Sequence, residues 1–265
     1  MGWCENKSIS YLNARGYNVV RLPRAGIEPL DVLGRDRSVE RLGSLVEIMR
    51  GPSEVPQVVG PRDAASAIGE DSDAVDLHIG LNLLRGIFSG WDAMIDKAKL
   101  EAGFRGAKKL IFKVSDVVSY SISPMALGKY LKDATVDWSN PLVSRYFDDD
   151  GDREIYVLTE VLKSQSFSIA AIDGKGGGIE ADIGLLGGAV SGNVALKPIL
   201  SNSNAQLTYV GTTPITFAFR CFQVRYRAGT WQLVDVTADD GISFGDPQTL
   251  EGAILRQGGL LAISR

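Results

Sequence analysis

The segment Gly241-Ile242-Ser243-Phe244-Gly245 sets a serine between two glycines at the spacing of a nucleophile elbow, the tight turn that presents a serine hydroxyl for acyl transfer. That chemistry needs a histidine base placed after the serine, and the chain's single histidine, His78, lies far upstream. Asp246-Pro247 follows where the helix of an elbow would begin, so the segment reads as a polar loop. Gly174-Lys175-Gly176-Gly177-Gly178-Ile179 resembles a phosphate cradle. However, Ile179 stands where the dinucleotide fingerprint needs glycine, and no Lys followed by Ser or Thr completes a P-loop. It reads as a flexible hairpin connection. Asp148-Asp149-Asp150-Gly151-Asp152 gathers the hard oxygen ligands that calcium prefers, but EF-hand spacing would put the required glycine on Arg153 and the twelfth-position Glu on Thr159. A solvated turn accounts for it. One histidine and two cysteines leave little for metal ligation or imidazole catalysis, so the expectation is a protein without cofactor, metal or enzymatic activity.

Composition narrows the class further. The 265 residues are 45% hydrophobic and 23% charged, which suits a globular chain of one large domain or two small ones. Twenty-eight Lys plus Arg against 32 Asp plus Glu give a net charge of −4, which argues against a nucleic-acid partner. Two cysteines cannot make a disulfide framework and fit a reducing cytosol. The N-terminus lacks the apolar core of a signal peptide. The most apolar long window, 77–95, is interrupted by His78, Asn82, Arg85 and Asp92, so no constitutive membrane span is expected.

The elements that would position any site follow from periodicity. Ser8 can cap a short helix that Gly16 ends, and 17–22 reads as a strand. Segments 30–33 and 42–49 are further strand candidates, the second open to a helical reading, and three of the ten prolines make 51–61 a loop. Leu77, Leu81, Leu84, Phe88, Trp91, Ile95 and Ala98 recur at four- and three-residue steps and predict a helix. A strand over 110–122, short helices over 125–134 and 141–147, and a long strand over 154–172 that bends near Ser164-Gln165-Ser166 come next. Eight of the 30 glycines fall in 174–192, where Ile179, Ala181, Ile183 and Leu185 alternate with Glu180, Asp182 and Gly184 as in a strand. Strands at 193–200, 206–210, 214–227 and 230–236 complete a β-rich half. Without a regular βαβ rhythm, the class is α+β with a mainly antiparallel sheet. After Val236 a polar connector leads to a short tail in which Leu250, Ala253 and Ile254 share a helical face and Leu260, Leu261 and Ile263 follow.

Two features are left over. Cys4, beside Gly2 and Trp3, has no local structural reason; Asn6 fails the N-myristoylation pattern, but S-acylation has no such requirement. The other is a double pattern: Leu77, Ile79, Leu81 and Leu83 alternate with His78, Gly80 and Asn82 inside the helical stripe. One window can therefore be helix in one state and lipid-facing strand in another, since strands cross a bilayer in about 9–11 residues with one apolar face. Segments 77–118 and 155–200 each fit such a refolding hairpin, although most amphipathic strands belong to soluble sheets.

Cys4 near the start, the run Tyr11-Leu12-Asn13-Ala14-Arg15-Gly16-Tyr17-Asn18-Val19-Val20-Arg21-Leu22-Pro23 and the extended Ile27-Glu28-Pro29-Leu30-Asp31-Val32-Leu33-Gly34 resemble the bacterial gasdermins. So do the order of helices and long amphipathic strands through Phe222-Gln223-Val224-Arg225-Tyr226 and a tail of about twenty residues in place of a large repressor domain. The resemblance covers nearly the whole chain and rests on order and length rather than on a strict signature.

It implies a twisted, mainly antiparallel sheet with surrounding helices over 1–236, a connector at 237–246 holding the cleavage region, and an autoinhibitory tail at 247–265. It implies a palmitoyl group on Cys4, and a monomer in the cytoplasm that a caspase-like or other protease cuts. The cut form then oligomerises in the inner membrane into pores that kill the infected cell in antiphage defence. Leu250, Ile254 and Leu260 would hold the tail. Leu77, Ile79, Leu81, Leu83, Leu110, Phe112, Val114, Ile179, Ala181, Ile183 and Leu185 would face lipid in the pore. Two competing readings are a soluble α+β module that binds a small apolar ligand or a protein, and a hydrolase using Ser243.

Overall fold

The computed structural model describes residues 12, 15–35, 39–51, 54–64, 74–147, 154–179, 181–192, 194–200, 205–227, 230–235 and 260–261. Cys4, Ser8, Glu180, Ser243, Leu250, Ile254 and the acidic run 148–152 lie outside them. The main strands are β1 (Asn18–Arg24), β2 (Asp31–Arg35), β3 (Val39–Ser44), β4 (Val59–Asp63), β5 (Lys109–Ser115), β6 (Val118–Ser121), β7 (Glu154–Ile172), β8 (Val194–Leu200), β9 (Ala205–Arg227) and β10 (Thr230–Asp235). The helices are α1 (Leu45–Ile48), α2 (Leu77–Gly90), α3 (Lys97–Gly103), α4 (Pro124–Asp133), α5 (Pro141–Phe147) and α6 (Ile183–Ala189). The class is α+β, as the interspersed pattern predicts.

One antiparallel ladder organises the sheet: β7, 19 residues long, pairs with β9, 23 residues long, from Ile155↔Val224 to Ala170↔Gln206. At its proximal end β2 and β3 extend the β7 side, and β1 and β10 lie against β9. At its distal end β5 pairs with β7 and β8 with β9, so four antiparallel strands project there. Alternation along β7 serves two cores. Ile155 and Val157 face a cluster under α1, α4 and α5 that includes Leu45, Leu127 and Val143. Tyr156 and Leu158 face the opposite cluster with Ile27, Leu33 and Phe219. Beyond the middle of the strand, Phe167, Ile169 and Ala171 pack in a third cluster with Leu84, Phe88, Leu100 and Leu186 of the helices above.

Local chemistry explains the boundaries. Ser123 caps α4 by accepting from the Ala126 N–H, and Pro124 at the first turn gives up no hydrogen bond. Ser44 and Glu47 form a reciprocal capping box on α1, so 42–49 is the end of a strand followed by one helical turn. The predicted bend in β7 is a register shift: Ser164 pairs with Ile215 and Ser166 with Val210. There the Ser164 hydroxyl accepts from the Ser166 N–H at 2.9 Å, so a side chain takes a donor that the ladder would use.

Four expectations are corrected. The helix predicted over 77–98 stops at Gly90, Asp92 takes φ 52, and Asp96 caps a separate α3. The strand predicted over 110–122 is divided by Asp116, also at φ 52, into β5 and β6. The loop predicted to run through 61 ends before β4, an edge strand that pairs only with β6 among the described residues and tolerates Pro61 there. The two strands predicted at 206–210 and 214–227 are one, with Pro214 inside the shifted register where the ladder asks for no N–H.

Candidate functional site

The two segments read as candidate refolding hairpins meet on the distal half of the sheet. In α2 the stripe behaves as the spacing predicts: Leu84, Phe88 and Trp91 are buried, and Leu77 and Leu81 are half-buried against the same cluster. His78 is exposed, near Asn82, on the solvent side. Leu110 is fully buried beneath α2, and Phe112 and Val114 are half-buried in the same cluster while Lys113 points to solvent. Gly80 is needed where α2 meets β5: a Cβ there would lie 2.9 Å from the Leu110 side chain. The face predicted for lipid in β5 is therefore the face that α2 covers in this state.

The second segment departs from its strand pattern. Only Gly178–Ile179 pairs with β7; after that, Asp182 accepts from the Leu185 N–H at 2.9 Å and starts α6. Residues 183–189 are helical, so the period-2 set does not run on along one face in this state; Ala181 and Leu186 are buried and Leu185 is half-buried. The signal that sequence reasoning passed over was Asp182 as a cap, with Leu186 and Ala189 one turn apart. Short glycine-rich segments satisfy both periods, and only the packing partner decides.

That partner is the first segment. Asp182 donates its N–H to the Gly103 carbonyl at 3.0 Å, Asp96 donates to Ala189 O at 2.7 Å, and Met94–Ile95 pairs with Val190–Ser191. Leu186 sits against α3 so closely that a Cβ on Gly103 would lie 2.5 Å from it. Lys97–Glu101 and Lys99–Asp96 are exposed ion pairs and contribute little. α2, α3 and α6 thus form one lid in which each candidate hairpin segment buries part of the other. Beneath it Tyr209 meets Phe88 edge-on at 4.8 Å, and its buried hydroxyl has no hydrogen-bond partner among the described residues.

The tail returns to the proximal edge. Leu260–Leu261 pairs in parallel with Val19–Val20, adding a short strand outside β1; Leu250 and Ile254 lie outside the described residues. The start of β1 is anchored by Arg220, whose guanidinium lies 4.1 Å over the Tyr17 ring and donates to the Arg15 carbonyl and to Glu160. Burial, with Glu160 adding to it, pushes the Tyr17 hydroxyl up to about 12. Leu12 is buried in the cluster that holds α2, so the chain enters the described fold under the lid. Among the described residues no group of three or more His, Cys, Asp or Glu could hold a metal, and no helix is long and apolar enough to cross a membrane.

This architecture is that of a bacterial gasdermin. The solved structure of a bacterial gasdermin from Bradyrhizobium tropiciagri superposes with a TM-score of 0.66 over 88% of this chain and 92% of that one, at 13% identity. The Bacterial Gasdermin Family profile matches residues 20–241. A gasdermin from Vitiosangium sp. is 35% identical over 268 residues, 98% of each chain, and one from a Desulfuromonadales bacterium is 27% identical over 236 residues, 88% of this chain and 86% of that one. The chain belongs to the bacterial gasdermin family, whose members are pore formers.

Proposed function

We propose that the protein rests as an autoinhibited monomer, that a protease cutting in the connector 237–246 frees the tail, and that the cut chain oligomerises into pores in the inner membrane. Cell death by this route would serve antiphage defence. The observation that carries the reading is the lid: both candidate hairpin segments contribute helices here, α2 and α3 from one and α6 from the other, clasped to each other over the distal four strands, with the lipid-type face of β5 turned inward. Extending those strands would turn apolar side chains from the lid toward lipid and satisfy the backbone only in a closed barrel.

Cys4 is the proposed palmitoylation site. It lies eight residues before the buried Leu12, and eight extended residues reach at most about 28 Å, so an acyl chain on Cys4 stays near the fold. Intact mass of protein from an acylating host tests this, and an unmodified Cys4 would exclude it. The whole reading is tested by dye release from phosphatidylethanolamine–phosphatidylglycerol vesicles, using full-length chain with a protease site placed in the connector. Uncut protein should be silent and cut protein should release dye; silence after cutting would leave a ligand- or protein-binding module as the better reading. On the cut background Ile183→Lys should end release, because a lysine at the bilayer midplane costs about 2–4 kcal/mol per subunit. Asp182→Asn should be tolerated, since Asn also caps a helix.

A further inference from the structure

Within the lid, Trp91 stands apart because it reaches into an irregularity of the β7–β9 ladder. The β7–β9 ladder pairs Ser166 with Val210 and Ser164 with Ile215, which leaves residues 211–214 opposite the single Gln165. Trp91 continues the last turn of α2, its N–H bonded to the Ile87 and Phe88 carbonyls, and its side chain fills that irregularity. The indole Nε1–H donates to the Thr213 carbonyl at 2.9 Å, a group whose residue has no ladder partner among the described strands. The ring meets Phe167 edge-on at 5.7 Å and lies flat against Gly211, where a Cβ would come 2.2 Å from Trp91 Cε2. Gly211 is outside the left-handed region, and the three atoms nearest that Cβ all belong to Trp91. These three contacts vanish whenever Trp91 is elsewhere.

We propose that Trp91 is a wedge that holds β9 bulged, so that departure of α2 and straightening of β9 are one event. The proposal rests on the reading of these segments as membrane hairpins. While the indole occupies its slot, the Thr213 carbonyl points at it and β9 cannot regain register with β7. Thr213 is exposed, so once the indole leaves, its carbonyl is free for solvent or for the ladder. In a bilayer water is excluded and only the regular pairing of a closed barrel satisfies it, so insertion favours the straight strand.

Gly211→Ala separates the two states, because its methyl collides with Trp91 at rest and meets nothing comparable in a straight strand. In full-length chain with a cleavable connector, Gly211→Ala should melt earlier when uncut and release vesicle dye about tenfold faster after cutting. Gly34→Ala is the control: its Cβ would meet Tyr146 at 2.6 Å, also a collision with an aromatic ring but far from the lid, and it should lower the melting temperature without speeding release. In uncut Gly211→Ala, amides of α2 and of 208–216 should lose hydrogen-exchange protection together. Unchanged release by Gly211→Ala, equal acceleration by Gly34→Ala, or loss of protection in β9 alone would each overturn the wedge. If Gly211→Ala does not fold, Trp91→Phe, which removes the donor and shrinks the ring, should speed release, and unchanged release there is equally fatal. Cut wild-type protein that never releases dye would instead refute the pore reading itself.

Discussion

Tyr209 is the one described side chain with a buried polar atom that nothing satisfies, and it lies under the lid. A buried group left without a partner costs about 1–3 kcal/mol, so the phenol hydroxyl works against the resting state while its ring stabilises it. Tyr209→Phe keeps the edge contact with Phe88 and removes the cost. It should raise the melting temperature by a few degrees and slow dye release after cutting, both measurable on full-length protein. Tyr17 belongs to the same cluster as Tyr209, just before β1. Its folded-state pKa of about 12 exceeds the ordinary value of 10.0, so the neutral form is favoured by the fold. The stability it contributes is complete below pH 10 and is lost between pH 10 and about 12. Tyr17→Phe should flatten the fall of the melting temperature over that window, and an unchanged slope would place the alkaline transition on other tyrosines.

At the scale of elements, the contact between α3 and α6 couples the two segments. Gly103→Ala should cost about 1–3 kcal/mol by overpacking against Leu186, and Leu186→Ala about 2–5 kcal/mol by leaving a cavity. In the double variant the new methyl occupies part of the space vacated, so the two costs should sum to less than their separate values in denaturant melts. Additive costs would mean that the residues do not share a contact. Elements whose signal is local were legible in the sequence: α4 with its Ser123 cap and Pro124, the long β7, and the break at Ser164-Gln165-Ser166. Elements decided by a partner far along the chain were not. Ile179 to Leu185 fits a strand on its own residues, and it is α3, some eighty residues earlier, that makes helix the better packing. The end of α2 at Gly90 was obscured in the same way, because Ile95 and Ala98 continue the arithmetic of the stripe after the chain has turned. Cys4, Leu250 and Ile254 were nameable from sequence and family resemblance, but they lie outside the described residues.

Across the whole molecule, the sheet is unequally covered. Its proximal half has a core on each face, whereas its distal half depends on the lid that the two segments make from themselves. On the proposed reading, one pair of strands then carries a fixed end and a convertible end. The parallel pairing of Leu260–Leu261 with Val19–Val20 has a further consequence. On the same reading the tail is a tethered ligand of β1 in the intact chain, and tethering raises its effective concentration there. A cut in the connector would, on that reading, break no contact of the pairing; it would turn an intramolecular ligand into a free peptide, whose occupancy then depends on how dilute it is. Activation should therefore be a dilution event as much as a cleavage event. Cut protein kept concentrated should lag, diluting it should shorten the lag, and added synthetic peptide of residues 247–265 should restore the lag in proportion to its amount.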